Sequence, residues 1–423
     1  MRYLAINPYL VPLLSLAVML VAFFYPGSTW EAIFDEPNLA FLNLKVLAWV
    51  LSCLFFLYLG IFISDNLIYF SEKTEVHFVM QLPTVGWLLL PVLAATLLAL
   101  LLYLIYLVKV HPGYIFYTFI GQASLAKEMI QRDEVDFSTL PNFAIPILWW
   151  AWYRYWQLVS IDRGSQFTKF FLQSVTIVLL FVLIVIAARF ALMPFIIGLF
   201  IIYAKFWIFD QLDCRQHFVR SIKIYSVLLA FIVGVFSLFS LARGYGEMAQ
   251  IWEMILGYGP VSFNRLAYVL DGELSFEYSK TGVYLIPEPI FSIVRNLFLL
   301  PIFSDFELWE SEFAGIASAG LNEQFIWLTQ FGYAFDSVGI FSVFVFLFYG
   351  LVLGWLWKSF LAAKVVGIVL YPLMYFSVFF MFGSFHFIIF FPFYGFIFLV
   401  LFFWEKLLVL LIFSSSKEVT HVK

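Results

Sequence analysis

Charge is scarce in this chain. Of 423 residues, 23 are Lys or Arg and 27 are Asp or Glu, so charged residues make up 12% and the net charge is −4. Soluble proteins carry roughly twice that charged fraction, because a water-facing surface requires it. With 64% hydrophobic residues and a mean hydropathy of +0.98, a soluble fold is excluded. Disorder is excluded as well, since it needs low hydrophobicity. The acidic balance and the lack of a basic tail argue against nucleic acid, whose recognition begins with a basic footprint. Cysteine is nearly missing: Cys53 lies in an apolar run and Cys214 in a charged loop. Such different depths argue against a disulfide or a shared metal site, and both are read as inert thiols. Absent too are His-Glu-x-x-His, Cys-x-x-Cys, Gly-x-x-x-x-Gly-Lys and Gly-x-Ser-x-Gly, which disfavours a zinc protease, a P-loop pump and an α/β-hydrolase. No metal or cofactor is expected.

What the chain has is long apolar runs and 22% aromatic residues. Runs near the ~20 residues that cross a bilayer predict an all-α, polytopic membrane protein, whereas a barrel would show short alternating strands. The expected spans fall near 8–25, 43–64, 86–108, 143–160, 170–188, 190–209, 222–242, 334–357, 365–384 and 386–404. The fourth, with Trp149, Trp150, Trp152, Trp156 and Arg154, suits an interfacial helix nearly as well. Only Arg2 precedes the first run and no small-residue cleavage site follows Tyr25-Pro26, which reads as a retained span, not a signal peptide. Another short helix, over 115–131, is expected to lie along the interface.

Loop bases set the expected orientation. Lys205, Arg215, Arg220 and Lys223 mark one cytoplasmic loop, Arg163 and Lys169 a second, Lys358 and Lys364 a third; Glu31, Asp35 and Glu36 land opposite. Ten spans with both termini cytoplasmic satisfy all of these. The chain then divides into helices over 1–242, a large periplasmic loop over 243–333, and three helices with a tail over 334–423. That loop holds four basic and eleven acidic residues, a net of −7. Its length and its Gly, Pro and aromatic content predict a compact cap with short helices.

Arginines at the outer ends of spans are the sharpest polar signal. Arg189, in the turn Ala187-Ala188-Arg189-Phe190, runs against the positive-inside trend, and Arg243 opens the large loop at the same depth. A guanidinium there either snorkels to headgroups or binds an anion, and its planar fork suits phosphate oxygens. Two at one level look like a receptor for a lipid-linked phosphate. Arg265 and Arg295 lie within the loop, and either add to such a pocket or pair with its acids. Glu323 and Asp336 are placed at the return to the membrane, Glu247 follows Arg243, and His386 sits between the last two spans. Each is a solvated or structural group or else a candidate base.

The order of these features resembles the oligosaccharide repeat unit polymerases, the Wzy-type O-antigen polymerases of bacterial envelopes. Asn7-Pro8-Tyr9-Leu10 before a span ending near Tyr25-Pro26 is similar to that family's start. Ala187-Ala188-Arg189 resembles its outward arginine turn, and Arg243-Gly244 its loop opening. The run Asn322…Thr329…Tyr333-Ala334-Phe335-Asp336-Ser337-Val338-Gly339 resembles its approach to the next span, with Asp336 out of the family's Asp-Phe-Gly order. The resemblance implies an inner-membrane glycosyltransferase that joins undecaprenyl-diphosphate-linked oligosaccharides at the periplasmic face, among membrane lipids and with a chain-length regulator protein as partner. Arg189 and Arg243, assisted by Arg265 and Arg295, would bind the donor diphosphate. Glu323, Glu247, Asp336 or His386 would activate the acceptor. An O-antigen ligase shares this layout. A flippase or other transporter should instead place charge or broken helices near mid-membrane, where this sequence shows almost none.

Overall fold

The computed structural model of the chain describes residues 6–67, 85–110, 113–122, 139–186, 189–208, 214–241, 247–276, 285 and 305–419. Among these the regular structure is all helical. That is what a bilayer demands, because a helix satisfies its backbone groups within the segment. In chain order the helices are α1 Pro12–Phe24, α2 Gly27–Phe34, α3 Leu44–Leu67, α4 Val85–Val110, α5 Tyr114–Phe119, α6 Leu140–Val159, α7 Gln166–Val185 and α8 Arg189–Tyr203. There follow α9 Cys214–Leu241, α10 Met248–Gly257, α11 Pro260–Asp271, α12 Asp305–Ser318, α13 Gln330–Val338, α14 Ser342–Leu361, α15 Val365–Phe379 and α16 His386–Val419.

Five helical stretches among the described residues are long and apolar enough to cross a membrane: Leu44–Leu67, Leu88–Val110, Gln166–Val185, Gln330–Leu361 and His386–Leu408. The chain is therefore a multi-pass, all-helical membrane protein. The expected first span is broken. Helices α1 and α2 meet at 103°, at Tyr25-Pro26, and count as a sixth span only if taken together. The side-chain amide of Asn38 holds that corner by donating to Ala22 O and Tyr25 O, both at 3.0 Å, so it caps the last carbonyls of α1. Near the expected eighth and ninth spans, α13 and α14 form one long stretch, while α15 is a shorter apolar helix of 15 residues.

Close pairs show which way the helices run. Gly60 of α3 meets Gly350 of α14, and Ser64 meets Gly354, so these two helices are parallel. A Cβ at Gly60 would stand 2.2 Å from Leu347 O, and one at Gly350 2.0 Å from Leu57 O. Only glycine permits that approach, the small-xxx-small contact of membrane helices. Helix α6 runs parallel to α16, with Phe143 beside Phe393 at one level and Arg154 beside Glu405 further along. It also runs parallel to α8, as Trp149 donates to Phe195 O at 3.1 Å and Tyr153 meets Lys205. Helix α4 is antiparallel to α16: Trp404 donates to Leu88 O at 3.0 Å, one turn before Pro91.

The structure decides between the two readings of the fourth span and shows how its charge is held. The Trp-rich α6 does not lie along an interface; Trp149, Trp150 and Tyr153 are fully buried, and the helix packs inside the bundle against α4, α7, α8, α15 and α16. The charge it carries is paired. Arg154 and Glu405 are both buried, joined by Nε–Oε1 at 2.7 Å and Nη2–Oε2 at 2.9 Å. Trp150 donates to the same carboxylate at 2.6 Å, and Gln157 accepts from Arg154 Nη1 at 2.7 Å.

Arg154, Lys205, Lys358 and Asp65 mark one end of the bundle. There Lys205 leaves α8 in a short π-helical turn, Ala204–Ile208, and donates to Tyr153 and to the carbonyls of Phe360 and Leu361. A cation suits that negative helix end. The short helices of the large loop mark the other end. Lys45, near the start of α3, is 2.7 Å from Asp271, near the end of α11. The expected short helices are there, but α11 is no outer decoration: every residue from Pro260 to Leu270 is buried, and it packs on α1, α3 and α13. Gly272, in the left-handed conformation, ends it.

Candidate functional site

At the capped end, α11 carries two adjacent polar residues into the core. Asn264 and Arg265 are both 0% exposed. Burying a guanidinium requires a counter-charge and a partner for nearly every N–H. Glu36, in the turn after α2, supplies the charge: Arg265 Nη2 donates to its Oε2 at 2.7 Å, and Nη1 to its Oε1. Arg265 Nε donates to Phe325 O at 2.8 Å, and Nη2 also to Asn322 O at 2.9 Å. Burial pushes the Arg265 pKa down, and the Glu36 carboxylate opposes that.

Asn264 completes the junction. Its amide donates to Glu36 Oε1 at 3.0 Å and to Pro37 O at 2.9 Å, while its carbonyl accepts from Leu39 N at 2.8 Å. Asn322 closes it from the third side, its backbone N–H on Glu36 Oε2 at 3.0 Å and its side chain on Phe34 O at 3.0 Å. Three segments distant in sequence are thus tied by one buried carboxylate. Arg265 is not an open anion receptor in this arrangement: its guanidinium has no exposed surface and four of its N–H groups are occupied.

The motif over 322–339 gathers around this junction. Thr329 caps α13 by accepting from Gly332 N at 3.0 Å. Asp336 accepts from Ser275 Oγ and from Phe276 N, both at 2.8 Å, which fastens the chain after α11 onto α13. A carboxylate held so is a tether before it is a base. Glu323 and Glu247 are exposed, and Glu247 precedes α10 with no capping hydrogen bond from its side chain.

His386 begins α16 and is buried among aromatic rings. Phe376 lies 5.1 Å away centre to centre, Phe380 6.2 Å, Phe390 6.3 Å and Trp327 6.4 Å. Trp327 covers it and in turn meets Tyr258 at 4.9 Å. Both of those rings are partly exposed. The turn before His386 is pinned by Gln330, whose backbone N–H donates to Met381 O at 2.9 Å and whose amide donates to Ser384 O at 2.9 Å.

Arg189 is the first residue of α8. Arg243 and Arg295 lie outside the described residues. Of the eight candidates, the structure therefore brings Arg265, Asp336 and His386 to one end through the segment 322–330, and leaves Glu323 exposed on it. Sequence reading missed the partners. In the sequence Glu36 is only an acid in an outer turn, and Asn264 belongs to no motif. The available signal was the polar pair Asn264-Arg265 inside an otherwise apolar helix. Among the described residues no three His, Cys, Asp or Glu side chains converge as a metal site.

Chemically, the capped end offers an aromatic face, Tyr258 and Trp327, with an exposed carboxylate four residues along the chain from Trp327. Faces of that kind stack on sugar rings while the acid accepts hydroxyl protons. Compared with protein-family models, curated proteins and solved structures, the chain matches none.

Proposed function

We propose that this chain polymerises undecaprenyl-diphosphate-linked oligosaccharide repeat units into O-antigen or a similar surface polysaccharide, at the periplasmic face of a bacterial inner membrane. The reading takes ten spans with both termini cytoplasmic, and the capped end as periplasmic. The observation that carries it is the partly exposed Tyr258–Trp327 pair over His386, at the same end as the 322–339 motif. The helix directions support it too, since α3, α6, α8, α14 and α16 share one direction against α4, as alternate spans should.

In this reaction an acceptor hydroxyl oxygen attacks the anomeric carbon of the donor glycan. The new glycosidic C–O bond forms as the bond to the diphosphate breaks, and undecaprenyl diphosphate leaves with the electron pair. The hydroxyl proton passes to a base, for which Glu323, four residues before Trp327 in the chain, is the exposed candidate. Arg189 and Arg243, with Arg295, stabilise the leaving diphosphate electrostatically. Arg265 acts at one remove, by holding the segment that carries Glu323 and Trp327.

Deletion of the gene in its native host, followed by a gel of surface polysaccharide, tests the reading. A core bearing one repeat in place of a ladder supports it. Loss of every attached repeat with long lipid-linked glycan means ligase, and an unchanged ladder overturns the O-antigen assignment. Arg189→Ala and Arg243→Ala should then shorten chains at normal protein levels. A carrier is the second reading: the buried Arg154–Glu405 pair speaks for it, although the pair lies toward the Lys358 end of the bundle and not at mid-membrane. Repeat units trapped on the cytoplasmic side of the deletion strain would establish it.

A further inference from the structure

At the end of the bundle opposite the cap, a groove of ≈ 510 Å³ opens between α4, α6 and α16. Val92, Ile147, Ile397, Leu401 and Trp404 are among the residues lining it, and the one charged side chain in its wall is Lys406. From Ile397 to Leu410 the groove follows α16 for about 20 Å at the helical rise. That is the depth of one leaflet, half of a ~30 Å hydrocarbon core, plus the start of its headgroup layer. Lys406 stands at that boundary, two residues before the end of the candidate span His386–Leu408.

The charge at this place is uncompensated. Neighbouring Glu405 points inward and is spent on Arg154 and Trp150. Lys406 is exposed, forms no ion pair among the described residues, and holds its ammonium 5.6 Å from the centre of the Phe402 ring. Trp404 shares the level and has its indole N–H fixed on Leu88 O. An apolar trough as deep as a leaflet, ending in a tryptophan and one free cation, is complementary to a lipid whose chain is apolar and whose head is anionic.

We propose that this groove holds an anionic phospholipid of the leaflet on the Lys358 side, with an acyl chain along Val92, Ile147 and Leu401 and its phosphate on Lys406. The site is independent of the polymerase reading, which concerns the other end of the molecule. The full chain, purified in detergent, would be titrated with phosphatidylglycerol and with phosphatidylcholine, and retained lipid counted by native mass spectrometry. Wild type should retain phosphatidylglycerol preferentially. Lys406→Gln should reduce that preference about fivefold, the worth of one basic side chain at a membrane surface. Val400→Trp, which fills the trough and leaves the cation, should reduce retention of both lipids. Lys109→Gln, at the opposite end of α4, should change nothing. Equal retention of the two lipids by wild type, an unchanged preference in Lys406→Gln, or a dimer lost on Val400→Trp would overturn the site.

Discussion

At the scale of single residues, the charges inside this protein are arranged in pairs that cannot be broken singly. Glu36→Gln leaves the Arg265 guanidinium buried without its counter-charge, an expected loss on the order of 3–5 kcal/mol. It should appear as a large fall in melting temperature in detergent, or as loss of the protein from membranes. Replacing both partners, Glu36→Leu with Arg265→Met, should recover part of that loss. A double variant as unstable as the single one would show that the network with Asn264 and Asn322, not the ion pair, dominates. For Arg154 and Glu405 the same logic separates two functions. If the pair is only structural, Glu405→Gln lowers stability and leaves the proposed activity in proportion to surviving protein. If it belongs to a transport path, activity falls further than protein level. These pairs were hard to read in advance for a plain reason. Arg154 and Glu405 are 251 residues apart, and a charge in an apolar run shows its cost in the sequence but not the partner that offsets it. Arg265 stood between an anion site and a salt bridge on sequence alone; burial decides for the salt bridge.

At the scale of elements, length and apolarity made most helices legible, with α3 and α4 found to within three residues at each end. The Trp-rich α6 was ambiguous because hydropathy reports composition and not neighbours. Trp149 and Trp150 face α8 and α16, not headgroups, through Phe195 O and Glu405, and Trp152 donates to Thr176 of α7. The corner between α1 and α2 was also hidden, although Tyr25-Pro26 is a natural break; nothing local reveals that the chain turns by 103° there. The Gly350-xxx-Gly354 spacing was visible, but its partner Gly60 was not. Gly350→Val should force α3 and α14 apart, because even its first carbon would meet Leu57 O. Protease sensitivity in native membranes measures this, with Gly234→Val in α9, where no neighbour lies within 4 Å, as the control.

At the scale of the whole molecule, polarity is sorted to the two ends. One end gathers Lys205, Lys358, Arg163 and Asp65, and the other gathers the short helices, Glu36 and Glu323. In a Cys214→Ser background, where Cys53 is buried, Arg163→Cys and Glu323→Cys should react with an impermeant thiol reagent from opposite faces of the membrane. Labelling of both from one face would refute the shared direction of α6 and α14. Much of this sorting was legible from loop charges, because the positive-inside trend acts on the same loops that the helices bring together. The interior of the cap was not, since its order depends on α11 being buried against helices from both halves of the chain.

The contact between Gly60 and Gly350 carries a consequence for how the protein is made. About 290 residues separate the two. At ~5–20 residues per second of synthesis, α3 waits roughly 15–60 s in the membrane before the helix it is shaped for emerges. Through that interval its glycine notch faces lipid or the insertion machinery. Nascent chains stalled before residue 342 should therefore be the form that quality-control proteases remove fastest, and chains stalled far enough past residue 361 for α14 to have left the ribosome should survive.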